Sequence, residues 1–292
     1  MMAAALLLAA GLAAAQDPAP PVFAAKVDSV YVDAFVMADG RPVTGLGSAN
    51  FELRDEGVVR PAELVHVEAV PLVSVLAFDA SASVSGETLR ALQESGALFL
   101  SALVEADQAG LLTFDHEVAW RVPPTTDKQQ VARALAALQP RGGTALFDAL
   151  FAAVTMPTAS ARPLVVVFSD GKDSASWLDE RRVRNAFARS NALVHIVGVV
   201  PSPSSVGVVR GKRAEAPVRM LRELAESTGG RFWPADSPEK LGPAFAGIAE
   251  AMRRRYLLRF DPSGGKPGWH RLELRLKNAS GVVEARPGYW SR

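Results

Sequence analysis

The chain has 292 residues, 49% hydrophobic and 22% charged, a balance that belongs to globular proteins and excludes disordered, fibrous and coiled-coil chains. A formal net charge of +1 gives no electrostatic reason to expect a nucleic-acid partner, and the lack of cysteine excludes disulfide frameworks, thiolate metal sites, Cys nucleophiles and a lipidated N-terminal Cys. At about 100–200 residues per domain, the length accommodates one large domain or two smaller ones.

Residues 1–15 contain an uncharged apolar run that ends in Ala13-Ala14-Ala15. The run is shorter than the roughly 20 residues a membrane-spanning helix needs, and its small-residue end reads as a signal peptide cut after Ala15, although no Lys or Arg precedes it. The expected location is therefore exported, periplasmic or secreted. Residues 16–25 read as a Pro-rich linker. Residues 26–70 show period-two alternation of valines and aromatics broken at Asp39-Gly40 and Glu56-Gly57, predicting three or four antiparallel strands.

From residue 71 to 252 the texture changes. VSVLAFD, GLLTFD, PLVVVFSD and ALVHIVGVV are near-continuous apolar runs, separated by stretches of helical periodicity at 87–105, 127–138, 145–155, 178–189, 217–227 and 238–254. Apolar strands alternating with helices predict an α/β domain, Rossmann-like and doubly wound, with a mostly parallel sheet covered on both faces. Residues 201–216 read as the longest loop. Residues 253–292 return to alternation and predict three more strands, which are expected to pair with 26–70 into an antiparallel β-sandwich flanking the α/β domain, because neither set buries a face alone.

The chemistry-bearing residues fall at strand ends. The first α/β strand runs into Asp79-Ala80-Ser81-Ala82-Ser83, a D-x-S-x-S pattern whose alternate spacing turns one carboxylate and two hydroxyls to one side. Hard oxygens with little negative charge suit Mg²⁺, with Mn²⁺ or Ca²⁺ as alternatives; the same residue types also serve as helix N-caps. Arg141-Gly142-Gly143-Thr144 places a third hydroxyl after a glycine pair at a helix start, and PLVVVFSDG ends in Asp170-Gly171. In an open parallel sheet all three belong at the carboxyl edge, where ligands bind.

DASAS, GGTAL and FSDG, in that order and on those elements, resemble the metal-ion-dependent adhesion site of the von Willebrand factor type A (VWA) domain. The resemblance matches Asp79, Ser81, Ser83, Thr144 and Asp170 to the five metal-site residues of that family. The flanks, PVTGLGSANFELRDEG and RRRYLLRFDP…ARPGYW, are similar to the proteins called VWFA-related Acidobacterial domain proteins. The resemblance implies a protein-binding module of adhesion type, whose divalent cation is completed by an Asp or Glu carboxylate of a protein partner. No catalytic residue is assigned. The alternatives are a metal-dependent hydrolase, and a structural envelope protein whose metal only orders the site loops.

Neighbouring residues carry weaker readings. Asp173 is expected either to hold a metal-bound water or to cap the helix that follows, and Asp115 borders the site with both roles open. His116 reads as an exposed turn residue and His195 as a hydrogen-bonded core residue. Arg253-Arg254-Arg255 read as cations favoured by a helix C-terminus, and Phe151, Phe187 and Phe245 as core. The sequence lacks G-x-S-x-G, H-E-x-x-H and complete phosphate-loop motifs, and offers little acid–base machinery for an enzyme.

Overall fold

A computed structural model describes residues 29–67, 70–156, 162–199, 208–262 and 266–291, with the side chains of 208–215 left aside. The signal-peptide and linker segments lie outside the described residues, as does 201–207 of the expected loop. Among the described residues no helix is long and apolar enough to cross a membrane.

The central sheet is built from β6 (Leu72–Asp79), β7 (Gln108–Phe114), β8 (Val118–Thr125), β9 (Arg162–Ser169), β10 (Leu193–Val199) and β11 (Phe232–Ala235). Its strand order is β11-β10-β9-β6-β7-β8, parallel except for the antiparallel edge strand β8. Every residue of β6 is buried, as a central strand covered on both faces requires. Successive side chains divide between the faces. Leu76 and Phe78 pack with α1 (Gly86–Ser101), α2 (Lys128–Ala136) and α6 (Leu241–Arg253) through Leu92, Phe99, Leu135 and Phe245. Val75 and Ala77 pack with α3 (Leu146–Val154), α4 (Glu180–Arg189) and α5 (Val208–Ser227) through Leu150, Phe187, Leu221 and Leu224. The domain is doubly wound, as the sequence predicts.

Three details differ from expectation. The segment expected as loop from 201 to 216 enters α5 at Val208, despite Pro217 inside the helix. Strands β8 and β11 carry too much proline to read as strands. Each sits at an edge of the sheet, where a missing N–H is tolerated. Phe187 and Phe245 are core residues, but Phe151 is 37% exposed, at the outer side of α3.

Strands from both ends of the chain interleave in two antiparallel sheets. One takes β1 (Val30–Ala38) between β14 (Val282–Ala285) and β12 (Tyr256–Phe260), with β5 (Glu63–Val65) beyond β12 and the short β2 (Arg41–Pro42) on β1. The other runs β15 (Gly288–Ser291), β13 (Gly268–Leu276), β3 (Phe51–Asp55), β4 (Val58–Arg60). Asp39-Gly40 and Glu56-Gly57 are two-residue turns with both residues at positive φ, the twist that tight hairpins favour. The two sheets share apolar clusters, one joining Val32 and Phe260 to Leu53, Leu272 and Tyr289, the other joining Val36 and Leu258 to Phe51.

Arginines join this flank to the start of the central strands. Arg162, at the foot of β9, pairs with Asp33 of β1, and Arg255 donates to the backbone oxygens of Asp33 (3.1 Å) and Gly229 (2.9 Å). The Arg255 side chain is fully buried, so it is a junction residue, whereas the sequence places it on a helix end for its dipole; only Arg253 and Arg254 lie at the end of α6. Arg286 reaches across to the backbone oxygen of Ser190 at 2.8 Å. The flank meets the central sheet at the amino ends of its strands.

Candidate metal centre

Strand order reverses between β6 and β9, since β7 lies on one side of β6 and the later strands on the other. Diverging connections open a crevice at the carboxyl ends of those two strands. Asp79 is the last residue of β6, and Asp170 follows the last residue of β9.

From Asp79 a chain of hydrogen bonds crosses the crevice. Asp79 Oδ1 accepts the backbone N–H of Ser81 at 2.9 Å; Ser81 Oγ and Ser83 Oγ lie 3.0 Å apart; Ser83 Oγ donates to Asp170 Oδ2 at 3.1 Å. Asp79 is wholly buried, and its second oxygen accepts Ser169 Oγ–H at 3.2 Å. The D-x-S-x-S segment is not a helix cap: α1 starts at Gly86 with Ser85 before it.

Thr144 is brought to the same crevice by its backbone. Arg141 N–H donates to Ala80 O (2.8 Å) and Ala82 N–H to Gly142 O (3.2 Å), so the glycine loop lies directly on the Asp79–Ser83 turn. Gly142 has φ +67°, and a Cβ there would stand 2.3 Å from His116 Nδ1, which accounts for glycine at this position. The N–H of Thr144 is held by Ser174 Oγ at 3.0 Å, while its carbonyl accepts the N–H groups of Ser174 and Ala175. The structure thus gathers all five predicted residues: four in one hydrogen-bonded chain, the fifth on a loop tied to it.

The two carboxylates of the site differ in their surroundings. Burial, above all, pushes the Asp79 carboxyl up to about 6; the nearby Asp170 charge adds to this, and hydrogen bonds from Ser81 and Ser169 oppose it. Lys172 Nζ lies 2.6 Å from Asp170 Oδ2, so a cation already sits on one of the two carboxylates. Among the described residues no group of three or more His, Cys, Asp or Glu is placed to hold a metal. A site here would draw on hydroxyls for most of its donors, and two carboxylates with three hydroxyls, on side chains from three loops, form an oxygen set that fits a hard dication.

The neighbours settle into other work. Burial raises the Asp115 carboxyl, but Arg141 Nε at 2.8 Å and the Glu117 N–H at 2.9 Å outweigh it and hold the group below the usual carboxylate range. Asp173 accepts from Phe147 N–H at 3.3 Å and from Ser176 Oγ, so it caps α3, which precedes it in the chain; the helix after it is capped by Asp179, whose carboxylate takes Arg182 N–H at 2.8 Å. His116 is half exposed, 3.0 Å from Asp115 Oδ1. Sequence reasoning missed Ser169, Ser174, Ser176 and Lys172. The serines that follow Asp170 are a signal for two of these, Ser174 and Ser176.

Residues 74–172 match the family model for the von Willebrand factor type A domain. The chain carries a VWA domain. A UPF0353 protein of Mycolicibacterium paratuberculosis is 30% identical over 180 residues, covering 56% of this chain and 53% of its own length. Another, of Nocardia farcinica, is 26% identical over 210 residues, covering 61% and 62% respectively. The chain thus spans about half to three-fifths of the length of these curated relatives. Among solved structures, a von Willebrand factor type A protein of Catenulispora acidiphila aligns with a TM-score of 0.52 and 13% identity over 89% of this chain and 72% of its own. The vWF domain of the type V pili tip protein Mfa5 of Porphyromonas gingivalis aligns with a TM-score of 0.51 and 14% identity, over 63% of this chain and 95% of its own. The pilus domain aligns over a larger share of this chain than residues 74–172. The Catenulispora structure extends the likeness of fold beyond it.

Proposed function

We propose that this protein is an exported, adhesion-type binding module whose VWA domain holds a divalent cation, Mg²⁺ first, on Asp79, Ser81, Ser83, Thr144 and Asp170, and through it takes an Asp or Glu carboxylate of a protein partner. The observation that carries the reading is the hydrogen-bonded run from Asp79 through Ser81 and Ser83 to Asp170 at the switch point of the sheet. A cation bound there supplies an electron-poor position that a partner carboxylate completes. This chain's residues supply orientation: Ser169 and the Ser81 N–H fix the Asp79 carboxylate, and the ties between Ser174 and Thr144 fix the third loop. Asp115 is committed to Arg141 and Asp173 to the start of α3, so neither of these two candidates is free to act as a general base, which favours binding over hydrolysis. The same fold in a pilus tip protein supports the exported setting. We read residues 26–70 and 253–292 as one β-sandwich into which the VWA domain, 71–252, is set.

Calorimetric titration with Mg²⁺, with melting followed in Mg²⁺ or chelator, tests the reading. Wild type is expected to bind the ion and to melt higher with it, a gain that grows with ion concentration over Kd. Asp79→Ala and Asp170→Ala are expected to remain folded and to lose both effects. An equal Mg²⁺ response in the three proteins overturns the assignment.

A further inference from the structure

Close in sequence to the candidate metal site stands a large apolar side chain on which no described residue is seen to pack. Trp177 is 94% exposed, although an indole offers about 150–250 Å² for burial. Its backbone is held firmly. The N–H groups of Trp177 and Leu178 donate to the two oxygens of Asp148 at 3.0 and 2.9 Å, and Ser176 Oγ accepts the Phe147 N–H at 3.0 Å. The loop that presents the indole is therefore pinned to the first turn of α3 and, through Ser174, to Thr144 of the site. A fixed, exposed Trp is the kind of residue that anchors an interface, because little freedom is lost when a partner covers it.

Position links it to the site. Trp177 follows Asp170 by seven positions, a span of at most about 25 Å, inside the roughly 30 Å breadth of a typical protein footprint of about 800 Å². The next residue, Leu178, lines a groove of about 840 Å³ between α3 and α4, together with Phe151, Val154, Arg182 and Arg189. Its floor is apolar, and exposed Arg182 and Arg189 give it a basic rim. Leu178 links the indole to the groove, which runs from there between the helices toward the amino ends of β6 and β9.

We propose that Trp177 and this groove set partner specificity, and that the occupant is an extended segment of a partner protein in which an Asp or Glu is followed by apolar side chains, with a further acidic group set against Arg182. The proposal rests on the reading of Asp79, Ser81, Ser83, Thr144 and Asp170 as a cation site that takes a carboxylate.

Selection of a phage-displayed random peptide library on the whole protein in Mg²⁺, with elution by chelator, tests this. Eluted sequences are expected to carry an acidic residue with apolar neighbours. Trp177→Ala is expected to weaken the best of them by about tenfold or more, with Trp177→Phe in between, while Mg²⁺ affinity by calorimetry stays at the wild-type value. Peptides that bind Trp177→Ala as tightly as wild type, or that show no apolar preference, overturn the proposal. If wild type binds Mg²⁺ but no peptide elutes with chelator, the proposal falls and the metal site stands. If peptides depend on Trp177 but neither on Mg²⁺ nor on Asp79, the carboxylate reading falls and the groove stands. If Mg²⁺ does not bind and no peptide elutes, both fall. Trp177-dependent sedimentation with phosphatidylcholine or mixed phosphatidylglycerol vesicles, in place of peptide binding, overturns it in favour of lipid.

Discussion

His195 lies in the middle of β10 with no exposed surface, and its Nδ1 accepts the N–H of Arg231 at 3.0 Å and Trp233 Nε1–H at 3.3 Å. An imidazole that accepts at Nδ1 is neutral. Burial chiefly, then the charges of Arg255 and Arg231, drive its pKa down to about 3. In the unfolded chain a histidine takes up a proton near pH 6.5; in the folded chain this one does not. Its contribution to stability is therefore complete above about pH 6.5 and is lost as pH falls from there toward 3, at up to about 1.4 kcal/mol per pH unit. Urea unfolding at a series of pH values is expected to show a shallower decline between pH 6.5 and 4 in His195→Gln than in wild type. Equal slopes would show that the histidine is protonated in the folded state. The burial of His195 is legible in the sequence because the residue interrupts an apolar run. Trp177 was not legible as an exposed anchor, since a Trp in a polar loop looks the same whether its ring folds inward or out. The five candidate site residues were legible because their types, order and strand-end positions coincide; the serines that hold them act through backbone geometry, which leaves little trace in a single sequence.

At the scale of elements, β1 carries the junction. Asp33 faces Arg162 and Arg255, and burial lowers the Arg255 pKa to about 10 even with that carboxylate beside it. Removing the acid leaves two guanidinium groups buried without their counter-charge, a change that costs about 3–5 kcal/mol in comparable cases. Asp33→Ala is expected to lower the unfolding free energy by an amount in that range by chemical denaturation, whereas Glu63→Ala, which removes an exposed pair with Arg259, is expected to cost less than about 1 kcal/mol. Similar losses in the two variants would remove the junction's claim to special importance. This pairing was invisible in the sequence: 129 positions separate Asp33 from Arg162, and a run of three arginines after a helix reads as cations favoured by the helix C-terminus. Edge strands were lost for a related reason. Val118–Thr125 and Phe232–Ala235 contain prolines that disqualify a central strand, and only their place at the sheet margins makes them permissible. The start of α5 was misread because Gly211 and Pro217 are poor helix residues by propensity, and tertiary packing of Leu221 and Leu224 overrides it.

At the scale of the molecule, neither end of the chain completes a sheet by itself. β1 needs β12 and β14, and β3 needs β13. A chain stopped at Arg254 lacks all four C-terminal strands and exposes Val32, Val36, Phe51 and Leu53. Such a truncation is expected to elute as aggregates in size-exclusion chromatography and to lose its cooperative melt; a monodisperse product with the wild-type midpoint would show that the two ends are independent. The central domain was readable as doubly wound because its strands are buried on both faces and so lack alternation, while the pairing of the ends needed only the argument that three strands cannot hide a face.

The placement of the flank has a mechanical consequence. Strands β6 and β9 begin beside Asp33 and end at Asp79 and Asp170, eight residues each and about 25 Å long. A partner pulling on the site against the flank loads them along their axes. The two strands are parallel, so held and pulled at the same ends they share the tension along their backbones, and the loops after Asp79 and Asp170 sit at the far end. On the proposed reading, the sheet is a tie rod between the flank and whatever the site holds.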